Sequence, residues 1–82
     1  MPSTEIRIGR DDKCFISLAD GKASRVHASL LATKEGIVVT DLGSSNGTFV
    51  DQSRLGVEPV VVRPGGRFRI GDTVLILKPA EE

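Results

Sequence analysis

Residues 41 to 50 read DLGSSNGTFV, Asp41 through Val50, a Gly/Ser/Asn turn set between two apolar runs. On its N-terminal side IVVT, Ile37 to Thr40, is β-branched and reads as a strand, and on its C-terminal side TFV, Thr48 to Val50, reads as a second, shorter one. Gly43 and Gly47 can take positive φ at no steric cost, while Ser44, Ser45 and Asn46 can bond nearby backbone or a ligand. A hairpin needs only about two such residues to reverse direction. Five in a row, Gly43 to Gly47, mark a loop with a task beyond connection.

Outward from this loop the chain continues as strands and turns. Ile6 and Ile8 alternate with Glu5 and Arg7, a half-buried strand that ends at Gly9. Phe15 to Leu18 is the next apolar run, and Val26 to Ala32 reads as a strand in this context, paired through the Lys34-Glu35-Gly36 turn with Ile37 to Thr40. Phe49 re-enters the sheet as a core residue. Beyond it come Val60 to Val62, Arg67 to Ile70 and Thr73 to Leu77, separated by Pro64-Gly65-Gly66 and Gly71-Asp72 turns. Strands this closely spaced predict an all-β, two-sheet sandwich of mainly antiparallel strands. Residues 1–82 are expected to form a single domain, with 79–82 as a frayed tail.

Composition limits what such a domain does. At 82 residues with three Phe and no Trp or Tyr, the interior must be filled by Val, Ile and Leu. Eleven Lys plus Arg balance eleven Asp plus Glu, so no global field draws the protein to nucleic acid or to a membrane. Any anion site must be local. Cys14 is alone and cannot form an internal disulfide, and no apolar run approaches the length of about 20 residues that spans a bilayer. With no cleavable leader visible, the expected setting is the cytoplasm.

Three polar constellations fall on loops that a sandwich can gather at one end. Gly9-Arg10 leaves the first strand, where a guanidinium offers paired N–H donors to an oxyanion and the glycine lets a ligand approach the backbone. Ser24-Arg25-Val26-His27 adds a hydroxyl, a loop amide and a second charge. The third is Gly43 to Thr48, with Asp41 placed to bond its own turn's amides. Each alone is an ordinary polar loop.

Together, IGR (Ile8 to Arg10), SRVH (Ser24 to His27) and DLGSSNGTFV (Asp41 to Val50) resemble the forkhead-associated domain, a phosphothreonine-binding β-sandwich. RFRIGDTVLIL, Arg67 to Leu77, resembles that family's closing strands, so the likeness runs from Ile6 to Leu77. The resemblance implies that Arg10 and Ser24 contact the phosphate and that Arg25 supplies a further phosphate ligand. Ser45 then lines the phosphate and the threonine methyl pocket, and Asn46 grips the peptide main chain. Gly9, His27, Asp41, Gly43, Gly47 and Thr48 take structural roles, His27 beneath the binding loops. Such recognition suits a phosphothreonine, which carries about −1.5 to −2 charge and three acceptor oxygens.

The implied partners are a phosphothreonine-containing protein or peptide and the Ser/Thr kinase or substrate that presents it. No nucleic acid, membrane, metal, cofactor or catalysis is implied. The alternative is a scaffold use of the same fold that ignores phosphate. A Ser24, His27 and Asp41 triad lacks a nucleophile elbow and an oxyanion hole, which argues against an enzyme. One departure stands out: only eight residues precede Gly9, room for one strand, so the count is about nine strands against the family's eleven. The two missing strands would leave an open sheet edge, suited to strand exchange or a dimer.

Overall fold

The computed structural model describes residues 5–78; the tail expected at 79–82 lies outside them. Nine strands follow in order: β1 Glu5–Gly9, β2 Ile16–Ser17, β3 Ala28–Ala32, β4 Ile37–Asp41, β5 Thr48–Val50, β6 Ser53–Arg54, β7 Val60–Val62, β8 Arg67–Ile70 and β9 Thr73–Ile76. They form a five-stranded sheet, β2-β1-β3-β4-β7, and a four-stranded sheet, β6-β5-β8-β9. Only the short β1 and β2 pair is parallel, so the expected all-β sandwich of mainly antiparallel strands is what the chain adopts.

The alternating pattern places the core. In β8, Phe68 and Ile70 are buried while Arg67 and Arg69 are exposed, a period of two that turns one face inward. In the larger sheet Ile6 lies opposite Leu30, and Leu30 opposite Val39, so one inward row crosses three strands. Ile8, Ala28, Val39 and Ile70 are fully buried and, with Leu30, Val62 and Phe68, fill the space between the sheets. Aliphatic side chains do most of this filling, as the scarcity of aromatics requires.

Several elements differ from the sequence reading. Phe49 is not core, because Thr48 and Val50 take the inward positions and alternation sends Phe49 to the outer face. There the Arg69 guanidinium lies 4.4 Å from its ring centroid. Phe15 is 78% exposed and outside β2, which keeps only Ile16 and Ser17. β3 begins at Ala28 rather than Val26. His27 still bonds across, its N–H to the Ile8 carbonyl at 2.9 Å and its carbonyl accepting from Leu42 N–H at 3.0 Å, but its ring turns to the loops. β6 had no apolar signature to announce it; the β5 hairpin imposes its pairing, Phe49 with Arg54 and Val50 with Ser53.

Candidate functional site

Three connections meet at one end of the sandwich: residues 10–15 after β1, 18–27 after β2 and 42–47 after β4. The first two are joined by backbone bonds, Arg10 N–H to the Ser24 carbonyl at 2.9 Å and Asp11 N–H to the Arg25 carbonyl at 3.0 Å. Gly9 makes this approach possible, since a Cβ there would stand 2.2 Å from the Arg25 carbonyl oxygen. The expectation that Gly9 opens the backbone to a ligand is therefore corrected: the chain's own carbonyl occupies that space. Cys14 is half-buried, and its thiol donates to the same Arg25 carbonyl at 3.3 Å.

His27 ties the second loop to the third. Its ring has no exposed surface. Nδ1 accepts the Ser24 N–H at 2.9 Å, which leaves Nε2 as the protonated nitrogen, donating to the Gly47 carbonyl at 2.9 Å. Both ring nitrogens are thus committed to backbone. The Ser24 hydroxyl oxygen, for its part, accepts the Ser45 N–H at 3.1 Å, so the histidine sits under the loops as a brace.

Asp41 organises the third loop. One carboxylate oxygen accepts the N–H groups of Gly43 and Ser44 at 3.1 Å each, and the other accepts the Ser44 hydroxyl and, at 2.8 Å, the Thr48 hydroxyl. Partial burial opposes its charge. The Ser44 and Thr48 hydroxyls and the Ser44 and Gly43 amides outweigh that cost and hold its carboxyl below the usual aspartate value. Gly43 and Gly47 close the turn at φ of 78° and 87°, left-handed values that favour glycine. Thr48 is fully buried and also accepts the Leu55 N–H at its carbonyl, 2.8 Å away, which fixes where the loop re-enters the sheet.

On this frame the groups expected to meet a ligand are brought together. Arg10 is exposed, and its Nε donates to the Ala23 carbonyl at 3.0 Å, which fixes the guanidinium plane and leaves its terminal N–H groups outward. Ser24 is half-buried, Arg25 and Ser45 are exposed, and Asn46 reaches back to donate its Nδ2 to the Lys22 carbonyl at 2.8 Å. Among the described residues no carboxylate lies within 4.0 Å of Arg10 or Arg25. The end of the sandwich therefore presents two guanidiniums outside any close ion pair, that of Arg25 still within the field of the Asp11 carboxylate, together with a hydroxyl and a side-chain amide: donors for an oxyanion beside a group that pairs with peptide backbone.

One contributor escaped the sequence reading. Asp20 lay in what looked like a plain polar loop, yet its carboxylate accepts the N–H groups of Lys22 and Asp72 at 2.9 Å each and the Thr73 hydroxyl at 2.7 Å. It thereby clasps the loop after β2 to the start of β9 in the other sheet. The Thr73 hydroxyl first, then the Lys22 amide, hold its carboxyl below the usual value. Lys22 extends the same clasp through Asp72 at 3.3 Å. Neither link is adjacent in sequence, so only an Asp-Gly turn signal existed. Arg54 folds over Gly47, where a Cβ would stand 2.6 Å from its Nε.

The family described as FHA domain matches residues 6–71. The FHA domain-containing protein FhaB of Mycolicibacterium smegmatis is 40% identical over 74 residues, 90% of this chain and 47% of that protein. The chain thus spans about half the length of the curated relatives it matches first. The solved structure of Mycobacterium tuberculosis EmbR in complex with a low-affinity phosphopeptide superposes with a TM-score of 0.76 at 33% identity, covering 95% of this chain and 21% of that one. A chain solved in a structural and functional analysis of phosphothreonine-dependent FHA domain interactions covers all of this chain and 83% of its own, with a TM-score of 0.85. At 23% identity it shares the fold.

Proposed function

This chain belongs to the FHA-domain family, and on that premise we propose that the end of the sandwich carrying Arg10, Ser24, Arg25, Ser45 and Asn46 binds phosphothreonine peptides. FHA domains are protein-interaction modules, and a relative with this fold has been solved with a phosphopeptide in place. The observation that carries the reading is Arg10: pinned through Nε to the Ala23 carbonyl, with no carboxylate within 4.0 Å among the described residues. A guanidinium held in one plane and left unneutralised is pre-organised for a planar pair of charge-assisted bonds to a phosphate.

Recognition divides among the loops. Arg10 and Arg25 supply charge and forked donors, and Ser24 supplies its hydroxyl proton from an oxygen held in place by the Ser45 amide. Asn46 keeps its side-chain carbonyl for a peptide N–H while its Nδ2 holds Lys22. Ser45 lies beside Ser24, where the methyl group of a phosphothreonine would sit. The module reads phosphoproteins marked by a Ser/Thr kinase, in the cytoplasm where such kinases act, and works by binding alone.

The deciding experiment is a calorimetric titration with a degenerate phosphothreonine peptide library and its unphosphorylated counterpart. Binding that depends on the phosphate supports the reading. Equal binding of both sets, or of neither, overturns it in favour of a scaffold role for the same fold.

A further inference from the structure

The sandwich has four sheet edges among the described residues, and they are not alike. β2 and β6 have two residues each, and both residues of β6, Ser53 and Arg54, are polar and exposed. β7 has three, bracketed by Pro59 on one side and by Arg63 and Pro64 on the other. Short strands, charges and prolines at an edge discourage pairing with another chain. β9, at four residues the longest of these edges, has neither a charge nor a proline within it: Thr73, Val74, Leu75 and Ile76 are followed by Leu77 in the same apolar run, and its charged flanks, Asp72 and Lys78, stand just outside, with Pro79 beyond.

The hydrogen bonds show which residues of β9 face this edge. Leu77 donates its N–H to the Gly66 carbonyl at 2.9 Å and accepts from Gly65 N–H at 2.7 Å, so it faces the β8 side. Alternation turns Leu75 and Thr73 the same way, as the tight Gly71-Asp72 turn between Ile70 and Thr73 also requires. Val74 and Ile76 therefore direct both N–H and both C=O groups to the free edge. The same two residues have exposed side chains on the outer face, 51% and 60%.

We propose that β9 pairs antiparallel with β9 of a second copy of this chain about a two-fold axis at Leu75, joining two four-stranded sheets into one of eight. In this register Val74 lies opposite the partner's Ile76, and Ile76 opposite the partner's Val74. Three properties of the strand coincide there. The outward N–H and C=O groups of both copies form two closed pairs of ladder bonds. The Val and Ile side chains meet across the strands and cover each other. Asp72, 74% exposed on its side chain, comes opposite the partner's Lys78 at both ends. Its Oδ1 meets Lys22, and its Oδ2 remains for the lysine.

Other registers lose this match. A slip by one residue turns Val74 and Ile76 to the wrong face. A slip by two sets Asp72 opposite an apolar Ile76 in one direction, or removes Lys78 from Asp72 in the other. The exposed Arg69 and the partner's Arg67 end up three strand spacings apart, about 14 Å, beyond a screening length of about 8 Å. Charge complementarity and bonding phase thus single out a second copy as the occupant.

The test is the mass of the 82-residue chain by light scattering across a concentration series, which does not depend on peptide binding. The expected result is a rise from 8.8 kDa to twice that value. Ile76→Lys should hold the chain at 8.8 kDa with an unchanged circular dichroism spectrum. Asp72→Lys should weaken the dimer about tenfold, and Asp72→Lys with Lys78→Asp should restore it. In a Cys14→Ser background, Leu75→Cys should cross-link copy to copy on oxidation, since a non-hydrogen-bonded pair holds its Cα atoms about 4.5 Å apart. A mass fixed at 8.8 kDa in the unmodified chain overturns the proposal and assigns β9 to another strand or another protein. Dimers that survive Ile76→Lys, or a charge swap that restores nothing, also overturn it.

Discussion

The backbone N–H of Ser45 donates to the hydroxyl oxygen of Ser24 across 3.1 Å, joining two loops whose residues stand 21 positions apart. The bond fixes the position of the Ser24 hydroxyl oxygen and leaves its proton free to donate to a ligand. The His27 ring supports the same junction from below, through the Ser24 N–H and the Gly47 carbonyl. Pre-organisation of this kind reduces what ordering would otherwise cost a bound peptide.

Arg10→Ala should weaken phosphothreonine-peptide binding between about tenfold and a hundredfold, because each charge-assisted phosphate bond is worth about 1.5 to 3 kcal/mol. Arg10→Lys keeps the charge but loses the fork and the Nε anchor to Ala23, so its affinity should fall between the two. Isothermal titration with one phosphopeptide decides; an unchanged affinity in Arg10→Ala removes Arg10 from the site.

A matched pair of peptides should bind unequally, phosphothreonine ahead of phosphoserine by about fourfold or more, the worth of one buried methyl at about 0.8 kcal/mol. On the proposed reading, the methyl enters the space beside Ser45. Competition fluorescence reads the ratio directly, and equal affinities would count against that pocket.

His27→Ala should destabilise the fold by about 2 to 4 kcal/mol, since it opens a cavity and strands the Ser24 N–H and Gly47 carbonyl without partners. Urea unfolding measures the loss. Phosphopeptide affinity should fall with it, even though the ring touches no ligand. Wild-type stability in this variant would refute the brace.

Asp41 sets an acid limit. Its folded-state pKa lies below the ordinary carboxylate value despite partial burial, because two hydroxyls and two amides favour the charged form. The unfolded chain therefore binds the proton more readily, and the stabilisation is complete above about pH 4 and lost as pH falls through the lower folded value. Asp41→Asn should flatten that acid limb and cost about 1 to 3 kcal/mol at neutral pH. Denaturation midpoints from pH 2 to 7 test both. An acid limb of unchanged steepness would show that other carboxylates carry it.

Strand positions were legible wherever apolar residues alternated with polar ones, as at Ile6 and Ile8 or Phe68 and Ile70, because a half-buried strand needs that period. Phe49 misled, since size suggests burial but its neighbours Thr48 and Val50 hold the inward phase. Thr48 is inward because Asp41 accepts its hydroxyl, a contact with no sequence signal. Among the loop groups, Arg10, Ser24 and Asn46 stood out by residue type and order. Asp20 did not, because its partners Asp72 and Thr73 lie 52 and 53 residues away.

By itself the sequence determined that this is an all-β sandwich of the FHA family, since period-two patterning, turn residues and three ordered motifs are local properties of the chain. Tertiary structure alone decided which groups meet. Pairing β1 with β3 brings Arg10 to Ser24, burying His27 brings Ser24 to Gly47, and the crossing from β4 to β5 carries Ser45 and Asn46 over both. The edge left on β9 belongs to the same class, because an unpaired N–H is defined only once every other strand has found its neighbour.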